Sequence, residues 1–139
     1  MNNTIFNTDL ISGKTNSTIV KISKLQNKKY RNDEKLFICD GVKLFLEAVE
    51  YNARIRYIVL NNNTEFEKEI VDKIKLCQKN GADIICVHDY IFDKLTTENS
   101  PQGIITVCEY LYTKHSFSND IKIPVKNEKI LMLESVRDP

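Results

Sequence analysis

The apolar residues of the chain fall into four short runs, separated by segments with helical spacing. The runs lie at residues 36–39, 56–60, 83–87 and 103–108. Each run is nearly continuous in Val, Ile and Leu rather than alternating with polar residues, which predicts strands covered on both faces of a sheet. Strands that alternate with amphipathic helices are typical of an α/β sandwich.

The segments between these runs predict four helices, at residues 17–29, 41–51, 64–79 and 88–95. Asn52 suits the left-handed position after the second helix, and Asn80-Gly81 is a strong stop signal for the third. The second helix has three charged residues on one narrow stripe, namely Lys43, Glu47 and Glu50. We therefore expect this helix to pack on most of its circumference.

Asp40-Gly41 forms the turn between the first predicted strand and the second predicted helix. Asp40 has the short acceptor side chain that caps helix N-termini, and Gly41 is expected to leave the backbone N–H groups there uncovered. Such a helix end attracts phosphate. Gly41 and the nearby Lys43 are therefore candidate phosphate contacts.

Length and composition predict one globular domain. The chain has 139 residues, of which 42% are hydrophobic and 28% charged, enough for a single core. No apolar run approaches the roughly 20 residues of a membrane span, and the polar N-terminus is unlike a signal peptide. We therefore predict a soluble, cytoplasmic protein without a membrane partner. Residues 1–16, rich in Asn and Thr, are expected to be an extended, partly disordered lead-in.

The four cysteines stand singly in apolar segments, without a C-x-x-C pair. This pattern favours buried, reduced thiols, while a zinc site or a disulfide framework remains the less favoured alternative.

Charge is distributed unevenly along the chain. Residues 1–31 contain six basic residues and one acidic residue, a balance of 6 − 1 = +5, and the rest of the chain carries 14 − 18 = −4. On a helical wheel starting at Ser17, four of the basic residues fall within an arc of about 80°, namely Lys21, Lys24, Lys28 and Arg31. Leu25 interrupts this division. The face is either solvated or in contact with a polyanion.

The sequence lacks the common catalytic motifs. The chain has no G-x-G-x-x-G, P-loop, H-E-x-x-H or G-x-S-x-G motif, and His88 and His115 stand alone. Asp89 and Asp93 are one helical turn apart, but such acidic pairs are more often solvated than catalytic or metal-binding. From the residues alone we predict binding rather than catalysis, with no catalytic and no metal-binding residue.

The loop at residues 100–103 has the sequence Ser-Pro-Gln-Gly. Pro101 fixes φ, Gly103 permits an unusual backbone conformation, and Gln102 offers an amide at the start of a strand. Either a plain turn or a loop that presents the Gln102 amide to a ligand fits this pattern.

Several motifs occur in a distinctive order and spacing over residues 16–139. Their residues are Leu25, Lys29 and Arg31; Phe37, Asp40, Gly41, Lys43, Glu47 and Ala48; Leu95 and Thr96; Pro101, Gln102, Gly103 and Ile104; and Leu131, Leu133, Val136, Asp138 and Pro139. Taken together, these motifs resemble the N-terminal part of the SpoU/TrmH RNA 2′-O-ribose methyltransferases, although that family usually has Glu at the position of Asp40.

The resemblance implies a fold and a domain plan. Residues 17–111 would form a substrate-binding domain with the three-layer α/β/α fold of kink-turn-binding ribosomal proteins. Residues 112–128 would be a linker, and residues 129–139 the first strand of a knotted SPOUT domain that continues in a longer protein. That C-terminal domain would bind S-adenosylmethionine, contain the catalytic residues and form a homodimer. The fragment itself would bind no cofactor.

The function implied is recognition of ribosomal or transfer RNA for 2′-O-ribose methylation. The alternatives are a stand-alone RNA-binding module, and an α/β domain that binds a nucleotide or a protein. In the resemblance the basic face becomes an RNA-backbone contact, and Tyr30 a candidate for stacking on a base. The predicted RNA-binding residues are Lys21, Lys24, Lys28, Lys29, Tyr30, Arg31, Gly41, Lys43, Gln102 and Gly103.

Overall fold

The computed structural model describes residues 1–111, which form a mixed five-stranded sheet. The strands are β1 (Leu10–Ile11), β2 (Leu36–Asp40), β3 (Ile55–Asn61), β4 (Asp83–Val87) and β5 (Ile104–Glu109). Their spatial order is β1-β4-β3-β5-β2. β4 pairs in parallel with β1 and β3, whereas β5 pairs antiparallel with β3 and β2. The four predicted strands are therefore confirmed to within one residue at each end.

Helices cover both faces of this sheet. They are α1 (Asn2–Ile5), α2 (Ser17–Lys24), α3 (Lys28–Glu34), α4 (Val42–Glu50), α5 (Lys68–Lys79) and α6 (Asp89–Leu95). Buried residues of α2 and α6 form one core layer with the sheet, and those of α4 and α5 form the other. The predicted layered α/β arrangement is thus present. The predicted linker at residues 112–128 and the predicted strand of a knotted domain at residues 129–139 lie outside the described residues.

The continuous apolar runs reflect burial on both sides of the sheet. In β3, Val59 packs in the layer of α2 and α6, while its neighbours Ile58 and Leu60 pack in the layer of α4 and α5. All three side chains are fully buried. Because successive strand residues point to opposite faces, a strand between two helical layers needs apolar residues at every position.

The first predicted helix is wrong in its length. The side chain of Asn16 caps α2 and accepts the N–H groups of Thr18 and Ile19, at 3.0 and 3.3 Å. The helix then ends at Lys24 and a second helix starts at Lys28. Leu25, which interrupted the charged face, is buried in the turn between them at 1% exposure.

Side-chain hydrogen bonds stabilise this break. The Asn27 side chain accepts the Tyr30 N–H at 3.2 Å and caps α3. From α3, the Arg31 guanidinium donates to the carbonyl oxygens of Leu25 and Gln26, at 2.8 Å each. The Asn27 bond satisfies an N–H at the start of α3, and the Arg31 bonds satisfy carbonyl groups beyond the end of α2, where intrahelical partners are lacking.

The second predicted helix, α4, is less buried than expected. Only Phe45 and Ala48 are buried in it, and Leu44 is 42% exposed. α4 packs on one face of the sheet, against β2 and β5. One side of the helix therefore faces the core, and the other side faces solvent. The predicted left-handed residue is confirmed, since Asn52 has φ +54°.

The third predicted helix, α5, begins at Lys68, four residues after the predicted start at Thr64. The N–H of Thr64 donates to the carbonyl of Asn61 in a turn that delays the helix. Ile70, Ile74 and Cys77, which follow helical spacing, are buried on one face of α5. Glu69 and Lys73, four residues apart on this helix, form an ion pair at 3.6 Å.

Residues 1–16 are not the extended lead-in that was expected, because they contain α1 and β1. The Asn2 side chain donates to the carbonyl oxygens of Asn61 and Thr64, at 2.8 Å each. Phe6 is buried in the core layer of α4 and α5. These contacts are made by isolated residues, which give no periodic signal in the sequence.

All four cysteines are free thiols, of which Cys39 is half-buried and the others are buried. Burial raises the pKa of Cys86 to about 11, which keeps this thiol protonated at neutral pH. In the part of the chain that the structure describes, no three His, Cys, Asp or Glu side chains are grouped as a metal would require. Among residues 1–111, no helix combines the length and apolar character of a membrane span.

The turn between α2 and α3 generates a prediction about stability. Leu25→Ala should lower the free energy of unfolding by about 2–5 kcal/mol, because it opens a cavity in the core. Leu76→Ala on α5, where the side chain is 50% exposed, is the matched control and should cost less than about 1 kcal/mol. Urea unfolding followed by circular dichroism measures both; equal losses would contradict the burial of Leu25.

Candidate nucleic-acid interface

The candidate interface begins at one edge of the sheet. β2 and β3 both run antiparallel to β5, and β4 runs parallel to β3. The carboxyl ends of β2, β3 and β4 therefore meet at the same edge, where β5 begins. Asp40-Gly41 and Gln102-Gly103 lie there, at the end of β2 and the start of β5. In open α/β sheets, ligands bind preferentially at the carboxyl ends of the strands.

Asp40 connects β2 to the segment that follows α6. Its Oδ2 accepts the Thr96 hydroxyl at 2.7 Å and the Thr97 N–H at 3.0 Å. Its Oδ1 is buried without a hydrogen-bond partner among the described residues. The prediction that Asp40 caps α4 is wrong, because its carboxylate bonds to this segment and Gly41 is the N-cap residue.

Gln102 occupies the start of α4. Its Oε1 accepts the N–H of Val42 at 2.8 Å, so the expectation that Gly41 leaves this helix end uncovered is wrong for Val42. Gly41 has φ +101°, and a Cβ there would lie 2.8 Å from the same Oε1. Glycine is thus required both by the backbone conformation and by the approach of the Gln102 side chain.

Gly103 fixes the other end of the loop. With φ +77°, it lies so close to Thr64 that an added Cβ would be 2.1 Å from Oγ1 and 2.6 Å from Cβ of that residue. The Gly103 carbonyl accepts the Asn61 N–H at 2.9 Å. The loop therefore joins β5 to the end of β3 as well as to α4.

Three of the exposed basic residues in the predicted set lie close together in the sequence, where α2 ends and α3 begins. They are Lys24, Lys28 and Lys29, and we call them the lysine cluster. The Lys24 ammonium lies 5.8 Å from the centroid of the half-buried Tyr30 ring, a cation–π contact. Among residues 1–111, none of the three forms an ion pair with a carboxylate. Their charges are available to a polyanion.

Lys21 and Arg31, also in the predicted set, make contacts within the protein. Lys21 Nζ lies 3.0 Å from the Glu34 carboxylate, and this hydrogen bond raises the pKa of Lys21. Arg31 donates to the turn after α2, as described above. Both therefore contribute to local structure, and their substitution would confuse a binding test.

The end of α6 connects the lysine cluster to the loop. The side-chain amide of Gln26, between α2 and α3, lies 3.4 Å from the Leu95 carbonyl and 3.5 Å from that of Lys94. Thr96, the next residue, bonds to Asp40. Gly41, Gln102 and Gly103 thus lie together near Asp40, and residues 94–97 connect Asp40 to the turn that carries the lysine cluster. Lys43 is exposed at the start of α4.

The residues missed from the sequence are Gln26 and Thr97. A continuous helix over residues 17–29 would place Gln26 on its apolar side, and Thr97 acts through its backbone N–H. A backbone contact leaves no trace in side-chain chemistry. The only sequence signal was the Leu-Thr motif at residues 95–96.

The histidine and acidic candidates lie outside this arrangement. His88 is the N-cap residue of α6 and stacks on Tyr90 with ring centroids 5.6 Å apart. Both carboxylate oxygens of Asp89 lie 3.2 Å from the Asn63 side-chain nitrogen. Asp93 is exposed.

The lysine cluster, Asp40 and the Gln102 loop all lie within a region of the chain that matches a known family. Residues 16–106 match the MRM3-like substrate-binding domain. The chain belongs to this family. The matched region begins at the cap of α2 and ends within β5, so it contains the lysine cluster, Asp40 and the Gln102 loop. No curated protein sequence matches this chain.

Solved structures share the fold of the MRM3-like domain. An AdoMet-bound rRNA methyltransferase from Sinorhizobium meliloti has a TM-score of 0.64 at 20% identity, over 76% of this chain and 38% of that one. An RNA 2′-O ribose methyltransferase has a TM-score of 0.61 at 14% identity, over 79% and 41%. The SpoU methyltransferase AviRb from Streptomyces viridochromogenes has 0.58 at 21% identity, over 80% and 40%. The matched region is thus about two fifths of each of these proteins.

The Asp40 bonds generate a prediction about stability. Asp40→Ala removes an acceptor shared by two donors and should lower the free energy of unfolding by about 1–3 kcal/mol. Asp33→Ala is the matched control, because Asp33 is exposed near the end of α3. An acidic side chain at that end of a helix does not interact favourably with the helix dipole, so its removal should cost little stability. Urea denaturation compares the two; an Asp40 variant as stable as the Asp33 variant would contradict this role.

A second prediction concerns Gly103. Gly103→Ala should cost at least about 2 kcal/mol, because it combines a left-handed conformation with overlap on Thr64. Gly13→Ala is the control, since a Cβ there meets nothing within 4 Å. Adding Thr64→Gly to the Gly103 variant should recover part of the loss, as read from thermal melting. Unchanged stability of Gly103→Ala would show that the loop packs differently.

Proposed function

We propose that this MRM3-like domain binds the RNA substrate of an S-adenosylmethionine-dependent RNA 2′-O-ribose methyltransferase that acts on ribosomal RNA. The observation that carries the proposal is the family match, because the family is one of substrate-binding domains. The substrate class comes from structural neighbours described as rRNA and RNA 2′-O ribose methyltransferases. Transfer RNA is the second possible substrate of the same chemistry.

The exposed charges support binding to RNA. The lysine cluster consists of three exposed lysines within six residues, none of which has a carboxylate partner in the described structure. Release of counterions from RNA phosphates would drive the association. Such contacts position RNA and do not read its sequence, so selection of the target would rest on the shape of the RNA and on unstacked bases. Tyr30 is proposed as a stacking partner.

The domain would contribute orientation rather than chemistry. Binding an RNA hairpin in a fixed pose brings one ribose hydroxyl to the methyl donor and lowers the entropic cost of the reaction. Cofactor binding, methyl transfer and homodimerisation are assigned to other parts of a cytoplasmic parent protein. At the described edge of the sheet the residues do not fit the cofactor, because Gln102 and Thr64 fill the positions beside Gly41 and Gly103.

The two alternative functions receive less support. A stand-alone RNA-binding module would share the lysine cluster, but the family is defined by substrate binding. A nucleotide-binding domain would be expected to offer a helix start to the phosphates. In α4 the Val42 N–H already donates to Gln102 at 2.8 Å.

The proposal predicts salt-dependent RNA binding through the lysine cluster. Binding of the 139-residue chain to a structured ribosomal RNA hairpin is measured by fluorescence anisotropy across a salt series. Changing Lys24, Lys28 and Lys29 together to Gln should weaken binding and lower the salt slope by about 2–3, roughly one for each RNA phosphate that the variant no longer neutralises.

The matched control changes Lys68, Lys75 and Lys79 to Gln. These lysines are exposed on α5, in the opposite helical layer, so the net charge changes equally at a different place. If the two triple variants lose the same affinity, only net charge matters and the lysine cluster is not the interface. If the unaltered chain shows no binding with a salt slope, the proposed function itself is overturned.

A further inference from the structure

Two lysines that are far apart in the sequence converge beside α6. Lys14 lies in the loop between β1 and α2, and Lys94 lies in the last turn of α6. Lys14 Nζ lies over the Tyr90 ring, and Lys94 follows Tyr90 by four residues, so the two lysines are placed on the same face of α6. The side-chain contact with Lys14 and the charge of Lys14 lower the pKa of Lys94. Like charges that lie side by side repel each other, which disfavours the charged form of each amine.

Contacts to Tyr90 fix the position of Lys14. Lys14 Nζ lies 5.6 Å from the centroid of the Tyr90 ring. The Tyr90 hydroxyl donates to the carbonyl of Ser12, two residues before Lys14. On α6 the Tyr90 ring also stacks on His88, at 5.6 Å and an interplanar angle of 12°. The loop that carries Lys14 is therefore attached to α6.

No carboxylate in the described part of the chain forms an ion pair with either lysine. The acidic residues of α6 are Asp89 and Asp93. Asp89 accepts from the Asn63 side chain, and Asp93 is the sequence neighbour of Lys94. The repulsion between the lysines is thus not compensated within the described protein. A shared anion between the two ammonium groups would compensate it.

We propose that Lys14 and Lys94 together bind one phosphate of the RNA backbone. This inference rests on the proposed function and enlarges its surface by a site that the sequence did not indicate. The Lys94 carbonyl lies 3.5 Å from the Gln26 side chain, so the lysine pair adjoins the turn that carries the lysine cluster. RNA bound at the cluster would extend across the end of α6 to this pair.

The experiment compares Lys14→Gln/Lys94→Gln with the control Lys75→Gln/Lys79→Gln on α5. Both double variants lower the net charge by two, and circular dichroism confirms that both fold. Binding to the same ribosomal RNA hairpin is measured across a salt series. The Lys14/Lys94 variant should bind about fivefold to tenfold more weakly near 0.1 M salt, with a salt slope lower by about 1, because it leaves one RNA phosphate without a protein cation.

Two results would overturn the shared site while leaving RNA binding intact. The first is an equal affinity of the Lys14/Lys94 variant and the control variant for the hairpin, which would place the lysine pair outside the interface. The second is a slope lower by about 2, which means separate phosphates for the two lysines. Loss of all salt-dependent binding by the unaltered chain would overturn the inference and the proposed function together.

Amine acylation, read by mass spectrometry, tests the same pair independently of affinity. Because the pKa of Lys94 is lowered, its amine should react faster with an acylating reagent than that of Lys75, and Lys14→Gln should slow this reaction. Saturating hairpin RNA should protect Lys14 and Lys94 but not Lys75. If bound RNA changes the acylation rate of neither Lys14 nor Lys94, the inference is overturned.

Discussion

The carboxylate of Asp40 links the sheet to the helical layer that contains α6. It does so at the end of β2, where strand pairing alone does not hold the sheet to that layer. β2 is an outer strand with β5 as its only sheet neighbour among the described strands, so one side of its end has no ladder partner. Bonds from Asp40 to Thr96 and Thr97 hold that end to the segment after α6. The position of α4 and the approach of Gln102 both depend on this connection, because α4 starts two residues after Asp40.

The surface proposed to bind RNA is built on the same connection. Residues 94–97 contact Gln26 on one side and Asp40 on the other, so one short segment relates the lysine cluster to the loop. Lys94 belongs to this segment and lies beside Lys14, which is in the loop between β1 and α2. A surface whose parts are already joined by hydrogen bonds loses little conformational entropy when a ligand binds, which favours a defined pose over loose attraction.

The strands were predictable from the sequence because burial on both faces demands apolar residues at every position, as in β3. The break after Lys24 was not, because it depends on bonds from Asn27 and Arg31 that compete with a continuous helix. Asp40 looked like a cap because its partner Thr96 lies 56 positions away. The convergence of Lys14 with Lys94 is likewise created by tertiary structure, and charge counting along the chain cannot reveal it.

The pairing of β2 has a consequence for the order of events during synthesis. β5 is the last described strand to leave the ribosome, yet it lies between β2 and β3 in the sheet. Until residues 104–109 emerge, β2 has no strand to join, and its ladder closes a long chain loop at an entropic cost. A nascent chain stopped within α6 would thus expose an unpaired apolar strand, a species prone to aggregation.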